Sequence, residues 1–454
     1  MRHLTLMRHA KAQQPSGEMT DHQRPLSKRG VRQAHAMAYV LQRWQSLAGK
    51  VCVSTALRTR QTFDAIESLH LQRQLDRHVL LDDALYTFDG DALLAWLKAL
   101  PNDTERVLVI GHNPALVELA QWLDDDAPPS LPTGSVLHFT LPDAPWNALE
   151  PGSATLTGGL TPDTASYALF QRRADEPPQA NGDVANRLHE ALVYQHQRVK
   201  ALKPGVMAGV DPEFLHQYRV SLRRSRAILE SVRAITKASG WKPWLTQLKR
   251  HARATSDLRD LDVVLADLDD IEVPLSTSTQ QHLRQWLQSC QRTEHVALCQ
   301  QLNAPGYPEA LEEWQRWLAS KACRQALAKL SPKRIQAVLD ERVKQHQKAL
   351  AALSIDDPDA SFHDLRKGVK RLRYLADLHP TTSTSFLKEL KRRQRVLGRY
   401  QDLCVRQAWL EAFGARAETT GPERQECAEW QAALASQKQT LRQKVLAWAP
   451  LPRH

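Results

Sequence analysis

HLTLMRHA, residues 3–10, sets a short run of β-type residues directly against Arg8 and His9, and the pattern it begins recurs along the first third of the chain. KVCVS (50–54), RVLVIG (106–111) and SVLHFTL (135–141) read as further strands, rich in Val, Leu and Ile and bounded by turn residues. Between them, GVRQAHAMAYVLQRW (30–44) and GDALLAWLKAL (90–100) repeat apolar residues at three- and four-residue spacing, the period of a helix. This alternation predicts an α/β three-layer domain over residues 1–172, with a mostly parallel sheet covered by helices on both faces. The segment from residue 142 through Trp146 to SYALFQRR (166–173) reads as its last strand or hairpin. The Pro- and Gly-containing stretch ADEPPQANGD (174–183) reads as a linker, placed at 173–183, and residues 184–454 predict an all-α domain.

A chain of 454 residues with 42% hydrophobic and 24% charged residues is neither a stapled miniprotein nor a disordered tail. Its formal net charge is +11, but unevenly placed. Residues 1–175 carry 17 Lys/Arg and 19 Asp/Glu, a net of −2, whereas residues 176–454 carry 44 and 31, a net of +13. The helical part therefore calls for an anionic partner. Six cysteines without a C-x-x-C pair fit reduced thiols, and neither a signal peptide nor a membrane span is visible, so a cytoplasmic protein is expected.

Three polar groups follow predicted strands: Arg8-His9, Arg58 a few residues beyond Ser54, and His112 after RVLVIG. In an open parallel sheet the carboxyl ends of the strands share one rim, where ligands bind. Two guanidinium forks can clamp a phosphoryl group bidentately. A neutral imidazole can attack phosphorus and carry the group covalently, and a second can stabilise the charge that develops on its oxygens. No metal or cofactor is called for.

LMRHAKA (6–12), RPLSKRG (24–30), STALRTRQT (54–62), DDALY (82–86) and VIGHNP (109–114) occur in order over about 165 residues. In these strings the chain resembles the histidine phosphatase superfamily, phosphoglycerate mutase-like in fold, and in particular its SixA-like phosphohistidine phosphatases. The resemblance implies a hydrolase with His9 as nucleophile, Arg8, Arg58 and His112 as the phosphate pocket, and a carboxylate acid, for which Asp83 is the candidate and Asp82, Asp89 and Asp91 compete.

The helical part carries an internal duplication. HQYRVSLRRSRAILE (216–230) aligns with HDLRKGVKRLRYLAD (363–377), and LKRHARATSDLRDLDV (248–263) with LKRRQRVLGRYQDLCV (390–405), which implies two helical units of about 140 residues. At ~100° per residue, His216, Arg219, Arg223 and Arg226 share an arc of about 80°, and Phe214, Tyr218, Leu222 and Leu229 take another face. His363, Arg366, Lys370 and Arg373 likewise oppose Leu365, Val369 and Leu372. Like charges at these spacings cost helix stability, which a merely solvated face gives no reason to repeat. Nucleic acid calls for aromatics interleaved with the cations, and a membrane surface needs the apolar face that a bundle core would use. A chain of phosphates needs only a dense array of cationic donors.

In these paired helices the sequence resembles the CHAD family, the conserved histidine α-helical domain. The resemblance implies two pseudo-symmetric helical bundles and a cleft that binds inorganic polyphosphate. It places His216, Arg219, Arg223, Arg226, His363, Arg366, Lys370 and Arg373 in that cleft, with Lys249, Arg253, Lys391 and Arg395 contributing and Asp260 and Asp402 structural. Two departures stand out: ARATSDLRD (252–260) lacks the step that Leu397-Gly398 supplies in the second copy, and Lys370 replaces an Arg. The expected protein is a phosphatase of phosphohistidine or another phosphorylated substrate, tethered to a polyphosphate-binding module and associated with polyphosphate granules. The alternatives are a non-catalytic polyphosphate-binding scaffold and a nucleic-acid-binding protein.

Overall fold

The computed structural model describes residues 1–69, 79–174, 176–177, 183–237, 239–270, 273–378 and 382–452; most of the predicted linker lies outside the described residues. The chain divides into two compact units, Met1–Asp175 with Pro204–Glu213, and Glu176–Lys203 with Phe214–His454.

The first unit is built on β1 (Arg2–Arg8), α1 (Lys28–Arg43), β2 (Lys50–Ser54), α2 (Leu57–Glu67), β3 (Val79–Asp82), α3 (Gly90–Lys98), β4 (Arg106–Gly111), α4 (Ala115–Leu123), β5 (Val136–Leu141) and β6 (Thr155–Leu160). The sheet order is β3-β2-β4-β1-β5-β6, with β1 to β4 mutually parallel and β5 and β6 antiparallel at one edge. Side chains alternate strictly between two cores. Leu4, Leu6, Cys52, Val107, Val109 and Phe139 bury against α3 and α4, while Met7, Val51, Val53, Leu108 and Ile110 bury against α1 and α2. The expected layering therefore holds, and the all-buried central strands explain why these runs read as nearly continuous apolar stretches.

Two details differ from the sequence reading. The last strand, TLTGGL (155–160), lies inside the predicted segment as a hairpin partner of β5, but SYALFQRR (166–173) is helical, comprising α6 (Tyr167–Phe170) and a further turn. Pro162 at the start of α5 (Pro162–Ala165) and the Thr161 capping box end the strand and begin helix instead. The four-residue β3 went unread because it is an edge strand with exposed Val79, Leu80 and Leu81 and no alternation.

The second unit is helical: α7 (Val184–Ala208), α8 (Pro212–Thr236), α9 (Lys242–Ala254), α10 (Ser256–Asp270), α11 (Thr277–Asn303), α12 (Gly306–Ala319), α13 (Lys321–Leu327), α14 (Pro332–Ala351), α15 (Asp359–Ala376), α16 (Thr384–Gly414) and α17 (Gly421–Leu446). The first twenty residues of α7, to Lys203, and those of α8 beyond Glu213 belong to this unit. The predicted apolar stripes are buried: Phe214, Tyr218, Leu222 and Leu229 on α8, and Leu365, Val369 and Leu372 on α15. The two copies differ where the sequence lacks Leu-Gly. The first breaks at Thr255 between α9 and α10, and the second runs unbroken through Gly398 in α16. Among the described residues no helix is long and apolar enough to cross a membrane.

Candidate functional site

Parallel pairing brings the predicted rim together. Arg8 at the end of β1 is in register with Gly111 at the end of β4, and Val53 of β2 with Ile110, so His9, Ser54 and His112 leave the sheet side by side. The His9 N–H donates to the Gly111 carbonyl at 3.1 Å, and the two imidazole rings lie 5.2 Å apart.

The tautomers follow from the partners. His9 Nδ1 lies 2.8 Å from the Ala10 carbonyl, which can only accept, so Nδ1 carries the proton and Nε2 keeps its lone pair. Burial, with the charges of Arg58, Arg8 and Arg24, holds His9 at about 4 against the opposing pull of the Ala10 carbonyl. The ring is neutral at pH 7 and has a nucleophilic nitrogen. His112 has the opposite tautomer. Arg58 Nη2 donates to its Nδ1 at 3.1 Å, so Nε2–H donates to Ser54 Oγ at 2.8 Å. Burial first, then the nearby His9 and Arg58, lower His112 to about 3.

Arg58 is 2% exposed, with partners on both terminal nitrogens and a buried Nε without one. Its Nη1 donates to the Asp21 carbonyl at 2.5 Å and its Nη2 to Asp21 Oδ2 at 2.8 Å. Asp21 also accepts from Arg24 at 2.9 Å and from the Tyr86 hydroxyl at 3.0 Å. Burial raises Asp21, but the hydrogen bonds from Arg24 and Arg58 outweigh it and bring the carboxyl down to about 2. Sequence reasoning missed Asp21, whose only local signal is its place three residues before Arg24 of the RPLSKRG string. Arg8 donates to the Leu131 carbonyl at 2.9 Å and keeps a buried Nε without a partner.

The rim carboxylates have separate tasks. Asp82 caps Ala84 and accepts the Trp96 indole N–H, and Asp89 caps α3. Asp83 Oδ1 accepts the Thr55 hydroxyl at 2.6 Å. Gly30, in the RPLSKRG string, lies against the Lys11 backbone so closely that a Cβ would sit 2.3 Å from the carbonyl oxygen, which ties α1 to the loop leaving His9.

In the second unit a cleft of about 770 Å³ gathers eight of the twelve predicted residues: Arg219, Arg223 and Arg226 from α8, Lys249 and Arg253 from α9, and His363, Arg366 and Lys370 from α15. Arg233, Arg342, Lys367 and Arg371 join them. The lining holds eleven Lys and Arg side chains against three carboxylates, Glu230, Asp260 and Asp402, so positive charge dominates even if every carboxylate is paired. His216, Arg373, Lys391 and Arg395 do not line it. Arg373 reaches Asp377 at 3.9 Å, and Lys391 and Arg395 are exposed on the unbroken α16.

Arg219 also serves the helix break, donating to Thr255 Oγ1 at 2.7 Å and the Ala252 carbonyl at 3.2 Å. His363 donates from Nδ1 to Gln401 Oε1 at 2.5 Å. Burial raises Asp260 and Asp402, opposed by Arg219 and Arg366 respectively. Lys370 is lowered to about 7 by burial and by Arg366, Arg223, Arg226 and Arg219.

An α/β domain with a rim of histidine and arginine is thus joined to a helical domain with a basic cleft. Two family models match the chain: the histidine phosphatase superfamily (branch 1) over residues 4–84 and the CHAD domain over residues 190–411. The chain therefore joins a domain of the histidine phosphatase superfamily to a CHAD domain. An uncharacterized Mycobacterium leprae protein is 29% identical over 168 residues, 34% of this chain and 99% of that protein. A structure from Nakamurella multipartitia, named for the phosphohistidine phosphatase SixA, is 32% identical over 36% of this chain and 96% of its own, with a TM-score of 0.30. The CHAD domain structure from Ricinus communis is 21% identical over 62% of this chain and 98% of its own, with a TM-score of 0.50, a likeness of fold.

Proposed function

We propose that the first domain is a phosphatase that works through a phosphohistidine intermediate, and that the CHAD domain binds inorganic polyphosphate. The observation that carries the first part is the neutral His9 whose Nδ1–H is held by Ala10, leaving Nε2 to attack phosphorus beside Arg8, Arg58 and His112. Nε2 forms the P–N bond as the P–O or P–N bond to the leaving group breaks; water then cleaves phospho-His9. A dianionic phosphoryl group would replace the Asp21 carboxylate on Arg58 and favour a proton on His112 Nδ1, turning that nitrogen from an acceptor into a donor for a phosphoryl oxygen. Phosphohistidine and other phosphorylated substrates both fit this chemistry.

The cleft supports the second part. It offers many guanidinium forks, and among the described residues Tyr374 is the one Phe, Tyr or Trp that lines it for base stacking. In a cell, such a module would hold the phosphatase at polyphosphate granules in the cytoplasm.

Turnover of phosphohistidine and p-nitrophenyl phosphate by wild type and His9→Ala tests the enzyme; an inactive wild type leaves the scaffold reading. Competition of labelled polyphosphate against single-stranded DNA at ~150 mM salt tests the ligand, and preference for DNA overturns it.

A further inference from the structure

The superfamily chemistry needs a proton for the leaving group, and Asp21, Tyr86, Asp82 and Asp89 at the rim are otherwise committed. Asp21 is held ionised by its arginines, and the Tyr86 hydroxyl donates to that same carboxylate, which raises its own pKa after the larger effect of burial. Asp82 and Asp89 cap local turns.

One imidazole stands at this rim in a built geometry. Thr55 donates its only hydroxyl proton to Asp83 Oδ1 at 2.6 Å, so its oxygen accepts from His22 Nε2–H at 3.1 Å. The chain His22, Thr55, Asp83 fixes Nε2–H as a donor and holds the ring in one orientation. The other ring nitrogen, Nδ1, lies outside this hydrogen-bond chain.

Both ends of this chain are anchored to the phosphate pocket. His22 follows Asp21, whose backbone carbonyl accepts from Arg58 Nη1, and Thr55 follows Ser54, which holds His112. The His22 ring stands edge-on to Tyr86 at 4.8 Å, and Tyr86 edge-on to His112 at 5.3 Å. The charged groups around it are Asp83 through Thr55, and Asp21 with its partners Arg24 and Arg58.

We propose that His22 is the proton donor to the leaving group, held by Thr55 and Asp83 as positioning residues; this rests on the phosphatase reading above. As His9 Nε2 bonds to phosphorus and the bond to the leaving atom breaks, the proton on His22 Nδ1 passes to that atom. Neutral His22 then takes a proton from the water that cleaves phospho-His9, restoring both imidazoles.

The test is kcat/KM of the full-length protein with p-nitrophenyl phosphate, whose leaving group needs no proton, and with an alkyl phosphate, whose leaving group does. His22→Asn should cost about 10²-fold or more on the alkyl ester and little on the nitrophenyl ester. Thr55→Val should move the same ratio, and Thr55→Ser should restore it. Equal losses on both esters with a folded variant overturn the proposal while leaving phospho-His9 chemistry intact. A wild type that turns over neither ester and traps no phosphoenzyme overturns the phosphatase reading and this one with it.

Discussion

Lys370 should make polyphosphate binding depend on protons. Among the cations lining the cleft, burial and the charges of Arg366, Arg223, Arg226 and Arg219 bring this amine down to about 7. In the empty cleft about half of the Lys370 side chains are charged at pH 7 and about a tenth at pH 8. Bound phosphates would return the group towards its ordinary range, so binding above pH 7 takes up a proton. The sign is fixed: affinity is greatest below pH 7 and falls as pH rises through it. At pH 8 the uptake costs about 1.4 kcal/mol, roughly tenfold in affinity, against less than twofold at pH 6. Titration calorimetry at pH 7.5 in buffers of different ionisation enthalpy should report about 0.8 proton taken up. Lys370→Arg carries a permanent charge, and comparison with it cancels the contributions of the other groups. Identical pH profiles for the two proteins, or no proton uptake by the wild type, would refute the linkage.

Three further outcomes are expected. Without ligand, Lys370 lies below its unfolded value, so its penalty is fully present below pH 7 and disappears above about pH 10; Lys370→Met should therefore raise Tm at pH 7 and change it little near pH 10.5. Arg219→Ala removes the donor to Thr255 Oγ1 and one of the donors to the Ala252 carbonyl, which keeps the Thr255 and Ser256 hydroxyls, and should lower stability by about 1 kcal/mol as well as weakening polyphosphate binding; Arg366→Ala should weaken binding with a smaller change in Tm. Gly30→Ala forces a methyl onto the Lys11 carbonyl and should cost about 1–3 kcal/mol in denaturant unfolding together with most of the phosphatase activity, since that loop carries His9.

Much of this protein is legible in local patterns. The short Val-, Leu- and Ile-rich runs in HLTLM, KVCVS and RVLVIG correspond to strands whose side chains divide between two cores. The residues just after those strands are the rim groups, because parallel strands share an end. The repeated H-x-x-R-x-x-x-[RK] helices have their apolar faces inside as their period requires.

Alignment, however, treats the two copies as equivalent, and the helix break at Thr255 makes them different. Lys249 and Arg253 sit on the separate helix α9 and line the cleft, whereas Lys391 and Arg395 ride on the continuous α16, whose faces keep a fixed rotation that leaves them exposed. The Asp21 clamp on Arg58, and the His22, Thr55 and Asp83 chain, join residues 28 to 37 positions apart. The sequence by itself determined β1, β2, β4 and β5, the repeat and the cluster of rim cations, because these depend on spacings within one element. Only the tertiary structure decided which tautomer each imidazole holds and which cations face the cleft, because those depend on partners that loops bring together from distant parts of the chain.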